Sequence, residues 1–75
     1  MADPVRQREI RQRIAHALNQ LPAKLRVAVI LALIEEEPYE QIAAALRISI
    51  GAVKSRVFRA VRKLREELKR AGIEP

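Results

Sequence analysis

"ISIGAVKSRVFRAVRKLREEL", Ile48 to Leu68, is the stretch whose reading decides the fold. Val53, Val57, Ala60, Val61, Leu64 and Leu68 recur at helical spacing and make one continuous apolar stripe. Ser49 stands before it as an N-cap, and Ala71-Gly72 closes it. On a wheel of about 100° per residue, the opposite arc carries Gly51, Ala52, Ser55, Phe58, Arg59 and Arg62. Lys54 and Arg65 flank this arc on one side, Arg56 and Lys63 on the other. Small residues at the start of such a helix suit a tight turn, or the close approach of something large.

Upstream, "PYEQIAAALR" predicts a short helix from Pro38 to about Arg47 with Ile42, Ala43 and Leu46 pointing inward. A break at Arg47, Ile48 and Ser49 then leads into the long helix. This layout is that of a helix-turn-helix over about residues 38–69, two helices crossing steeply with the second free to enter a major groove. Ala43 is small where the helices must cross, and Ile42, Leu46, Ile48 and Val53 fill the wedge between them. An ordinary helical hairpin in a bundle is the competing reading.

Two more helical segments precede this pair. Asp3 caps the first, Pro4 occupies its first position, and Ile10, Ile14, Ala17, Leu18 and Leu21 carry its periodicity to about Gln20. Leu21-Pro22 restarts the chain, because the residue before proline avoids helical angles. Leu25, Ala28, Val29, Ala32 and Leu33 form one face of the second helix, which Glu37-Pro38 ends. No strand pattern is present, so residues 1–75 read as one all-α domain of four helices. The second helix also carries Val27, Ile30, Leu31 and Ile34 as a further apolar row. The first helix is expected to cover that row, and a monomer is favoured over a homodimer. The rival expectation is a two-fold dimer through this row, with half-sites about 34–36 Å apart on one face of a duplex.

Composition narrows the function classes. Fifteen Lys and Arg against nine acids give a net charge of +6 in 75 residues, with a pI near 10.8. Such a balance in so small a chain suits a polyanionic partner. Cysteine is absent and His16 is the lone histidine, so a disulfide framework, a thiolate metal site and an imidazole metal site are all excluded, and no cofactor is implied. The longest apolar run, "VAVILALI" from Val27 to Ile34, falls well short of the roughly 18 residues that begin to suggest a membrane span. The basic arc of the last helix keeps no free apolar face once its stripe is buried, which disfavours a membrane surface. The chain reads as a cytoplasmic protein. An enzyme is disfavoured too: no Gly-rich phosphate loop, nucleophile-base pair or buried carboxylate pair is evident, and His16 reads as a surface residue.

Double-stranded DNA remains as the partner that fits the last helix. Gly51 and Ala52 let backbone and short side chains come close to base edges, while the free N–H groups of the helix start favour a phosphate. Lys54 and Arg59 can donate to guanine O6 and N7, Ser55 to several edges, and Phe58 can lie on a thymine methyl. Arg62 and Lys63, farther along, are candidates for phosphate rather than for bases, although Glu66 and Glu67 stand at spacings that also allow surface ion pairs with them and with Arg65. A protein-interaction module, docking another protein or another copy of itself through the second helix, is the alternative function.

From about Ala17 to Leu68, through "LP…LR", "PYEQIA" and "GAVKSRVFRA", the chain closely resembles the C-terminal domain of bacterial RNA polymerase sigma factors, especially the extracytoplasmic-function group. That resemblance implies recognition of the promoter −35 element, with RNA polymerase as a further partner; under the alternative function, RNA polymerase, an anti-sigma partner or another copy would dock on the second helix. It implies that Lys54, Ser55, Phe58 and Arg59 face promoter bases and that Arg26 and Arg56 lie near the DNA backbone. Arg47 stands where the family usually has Gly. If the backbone there is left-handed it costs on the order of 1 kcal/mol, in exchange for a further phosphate contact. Ala52 replaces the usual Thr, Gln41 replaces an acid, and Val27 and Ala32 stand at positions where the family tends to be polar. The family's N-terminal domain, which melts the −10 element, has no counterpart in these residues. The chain is therefore expected to be an excised domain, a stand-alone relative or a re-engineered scaffold.

Overall fold

A computed structural model describes residues 3–72. Helix α1 spans Pro4–Gln20, and α2 spans Ala23–Val29 before its winding widens into a π-helical segment, Ile30–Ile34. Helix α3 spans Tyr39–Leu46 and α4 Ile50–Arg70, with no strand among the described residues. The fold is the all-α arrangement expected from the periodicity.

The helix ends follow from local chemistry. Asp3 accepts the Val5 N–H at 3.0 Å ahead of Pro4, and α1 stops where Leu21 turns extended before Pro22. At the start of α4 the Ser49 hydroxyl accepts the Ala52 N–H at 3.0 Å. Arg47 ends α3 with φ 56° and ψ 47°, the left-handed conformation that a Gly would adopt without a Cβ penalty. Around it Ile48 N–H donates to the Ala43 carbonyl at 3.1 Å and Arg47 N–H to the Ala44 carbonyl at 3.4 Å. These two bonds satisfy carbonyls that the helix end would leave open, and they turn the chain sharply into α4.

All packing converges on α4. Ala28, Ile42, Ala43, Val53 and Val57 form one buried cluster, against which Leu31, Ala32, Leu46 and Ile48 rest. Leu21, Leu25, Val29 and Ala60 form a second, joined by Leu18, Ile30 and Leu64. Ala28 and Ala60 are both 0% exposed: Ala28 of α2 packs with Val53 and Val57 of α4, and Ala60 of α4 with Leu25 and Val29 of α2. Gln20 and Leu21 line a cleft with Lys63 and Glu67, whereas Arg6 and Ile10 meet Ala71 and Gly72. Helix α1 therefore runs antiparallel along the C-terminal part of α4, and α2 continues that line toward the N-terminal part. The resulting body measures 40 × 23 × 18 Å.

Helix α2 departs from the sequence reading. The Glu35 N–H donates to the Ile30 carbonyl at 3.0 Å, five residues back, so a wheel built on 3.6 residues per turn stops assigning faces here. Leu31, expected on the outer row, rests on the core, whereas Leu33, expected inside, is 56% exposed. The expected cover over the outer row is also absent. Helix α1 packs on α4, leaving Val27 41% and Ile34 61% exposed. Glu36 is a second left-handed residue, at φ 54°, and closes the π-helical segment with Glu37 N–H on the Leu31 carbonyl at 2.9 Å.

The strain at Arg47 leads to a measurable expectation. Arg47→Gly should raise stability by about 1 kcal/mol, because the left-handed angles cost Gly nothing, although the freer unfolded chain offsets part of the gain. A thermal melt checks it. A clear fall in the midpoint would show that the Arg47 side chain stabilises the turn by more than its backbone costs.

Candidate nucleic-acid interface

The geometry of α4 separates an inward stripe from an outward arc. Val53, Val57 and Ala60 are buried, and Val61, Leu64 and Leu68 are half-buried beside them. Gly51, Lys54, Ser55, Phe58, Arg59, Arg62 and Lys63 are all exposed, and Ala52 and Arg56 are half-buried at the margins. Phe58 is 68% exposed, the most exposed large apolar side chain among the described residues. Helix α4 thus gathers onto one surface the residues that the sequence nominated for base contact.

The cations of this surface have no internal partners. The one ion pair among the described residues joins Arg70 Nη1 to Glu67 Oε1 at 3.0 Å, beyond the arc. Arg62, Lys63 and Arg65, for which ion pairs with Glu66 and Glu67 were open from spacing, are therefore unpaired among the described residues. Arg59, Arg62 and Lys63 line a shallow depression with Glu66. Side-chain hydrogen bonds are equally sparse, and Ser55 makes none within the described chain. Because exposed charges without fixed neighbours contribute little to folding, the charge of this face is not explained by the stability of the domain.

The helix start faces the same way. Ser49 satisfies the Ala52 N–H, but the Ile50 and Gly51 N–H groups have no acceptor within the described chain. A Cβ placed on Gly51 would meet only the Ser49 hydroxyl, at 3.8 Å, so nothing inside the domain requires a glycine there. Arg47 is exposed at the turn just before this helix, while Arg26 is half-buried on α2. Ile50 is the residue of this end that the sequence reading passed over. It stands three residues before Val53, ahead of the first covered turn, and is 41% exposed. Among the described residues no group of acidic, His or Cys side chains is arranged to hold a metal ion, and no helix is long and apolar enough to cross a membrane.

Fold and face together define a basic helix-turn-helix domain. Residues 11–64 match the family model described as sigma-70, region 4, and the chain belongs to that family. It is 41% identical over 58 residues to the ECF RNA polymerase sigma factor SigE of Mycolicibacterium smegmatis, covering 77% of this chain and 23% of that protein. It is 40% identical over 52 residues to the ECF RNA polymerase sigma-E factors of Escherichia coli K12 and Salmonella typhimurium LT2, covering 69% of this chain and 27% of each. The chain spans about a quarter of the length of these curated relatives. Region 4 is a DNA-binding, non-enzymatic domain of sigma factors.

The arc's independence from the core is testable without any ligand. Phe58→Ala and Arg59→Ala should each leave folding stability within about 0.5 kcal/mol of the parent, as for surface changes elsewhere. Gly51→Ala should raise it by a few tenths to about 1 kcal/mol, since it improves helix propensity in open space. Denaturant titrations with an unchanged slope check all three. A large loss in either arc variant would mean that the arc supports the fold.

Proposed function

We propose that this domain binds duplex DNA sequence-specifically, with the N-terminal half of α4 in the major groove, reading a promoter element of the −35 type. Lys54 and Arg59 donate to guanine edges, Ser55 bonds to a neighbouring edge, and Phe58 covers a thymine methyl. Gly51 and Ala52 keep the helix start low enough for the groove wall. Arg26, Arg47, Arg56, Arg62 and Lys63 meet phosphates on either side of the groove. RNA polymerase is the further partner, since the relatives are RNA polymerase sigma factors by name.

The observation that carries this reading is Phe58, left 68% exposed at the centre of an arc whose cations have no internal partner. Water is a poor surrounding for a phenyl ring. A groove floor with methyl groups, bordered by phosphates, suits both the ring and the charges around it. Membership of the sigma-70 region 4 family supports the same surface.

Selection of bound duplexes from a random pool, at fixed salt, should return a short site with clear preferences at several positions. An uninformative pool would favour an interaction module over a DNA reader. Against the selected site, Arg59→Ala or Lys54→Ala should cost about 1–3 kcal/mol and relax preference at one or two base pairs. Equal losses on selected and scrambled duplexes would reassign the residue to phosphate. Replacing Arg26, Arg47 or Arg56 by Ala should weaken binding to all sequences and lower the salt slope by about one.

A further inference from the structure

Arg59, Arg62, Lys63 and Glu66 line one shallow depression on α4, three cations and one acid. The acid is out of keeping with its neighbours. Glu66 is exposed, and among the described residues it makes no side-chain hydrogen bond and no ion pair. Nothing inside the domain accounts for a carboxylate at this place. It stands three residues after Lys63 and four after Arg62, the cation-before-acid order that supports helical pairing less well, and neither pair forms. Glu66 therefore does not orient the cations beside it.

Its position along the helix says more. Helix α4 is unbroken from Ile50 to Arg70, and Ser55, Arg59, Arg62 and Glu66 follow one another at spacings of four, three and four. Eleven residues make just over three turns, so Glu66 lies nearly in line with Ser55 and roughly 16 Å farther along the axis. The major groove is about 12 Å wide. A helix with Ser55 against a base edge thus carries Glu66 toward the phosphate wall, beside the backbone assigned above to Arg62 and Lys63.

We infer that Glu66 is a brake on duplex binding: its carboxylate faces the phosphate that Arg62 and Lys63 hold, weakens that contact and marks where the DNA-binding surface of α4 ends. The inference rests on the duplex-binding reading of this arc. Two like charges about 6 Å apart in water at low salt repel enough to change affinity roughly two- to fourfold. Phosphates are the same in every sequence, so the brake acts alike on target and non-target DNA. The domain leaves random duplex sooner, while discrimination stays with Lys54, Ser55, Phe58 and Arg59.

Titration of the selected duplex and of a scrambled one, from about 50 to about 200 mM salt, tests the inference. Glu66→Gln should tighten both duplexes about two- to fourfold at the low end, with a gain that shrinks as salt rises. Glu66→Lys should tighten both on the order of tenfold there and steepen the salt slope by about one, because a phosphate contact is added. Glu9→Gln removes the same charge from α1, where Glu9 lines the cleft beside Ala71 and Gly72, and should leave affinity within about 1.5-fold of the parent. Weaker binding by Glu66→Gln would overturn the brake and make Glu66 a group that organises the cations or accepts from a cytosine amino group. An equal gain from Glu9→Gln would overturn it as well, leaving only net charge. A parent that binds neither duplex would overturn the duplex-binding reading itself, whereas a parent that binds and is matched by both Glu66 variants would overturn the brake alone.

Discussion

The close approach of α2 to α4 is the constraint on which the rest of the structure depends. Ala28 on one helix and Ala60 on the other are both fully buried, one in each cluster of the core. Ala28 packs with Val53 and Val57, and Ala60 with Leu25 and Val29, so a small residue of each helix receives larger ones of the other. A larger residue at either position would force the helices apart, at a typical cost of about 1–3 kcal/mol for overpacking. Separation would also undo the platform on which α3 rests, since Ile42 and Ala43 share the cluster with Ala28. The seat of α3 beside α4 thus depends on how closely α2 packs.

The turn between α3 and α4 shows how local strain is carried by this framework. Arg47 adopts left-handed angles at the cost of a Cβ clash, held by the bonds to Ala43 and Ala44 and by Ile48 resting on the core. The residue that bears the strain is exposed and charged, immediately before the exposed start of α4. In the domain's electrostatics the acids of the EEE run stand after α2, while the α4 arc is basic. Within the net charge of +6 the acidic run and the basic arc thus occupy different elements.

Much of this was legible in the sequence because caps and punctuation are local signals. Asp3-Pro4, Leu21-Pro22, Glu37-Pro38 and Ser49 each fix a helix end through bonds within a few residues, and the observed bounds fall there. The α4 stripe was equally readable, since one unbroken 3.6-residue period runs its whole length. Two features were not. The widened winding at Ile30–Ile34 has no residue signature, and it exchanges the places of Leu31 and Leu33. The packing partner of α1 was also hidden, because periodicity shows which face of a helix is apolar and not which neighbour receives it.

The arc of α4 has a consequence for how such a domain changes over generations. Ser55, Phe58, Arg59 and Arg62 are exposed and, among the described residues, share no side-chain hydrogen bond or ion pair with the core. Substitutions there are nearly free of folding penalty, so selection can sample the surface residue by residue without first acquiring a compensating mutation. The alanines beneath have no such freedom. A fold divided this way separates what must be inherited intact from what can be rewritten, and a lineage of these domains can diverge in recognition while its architecture stays fixed.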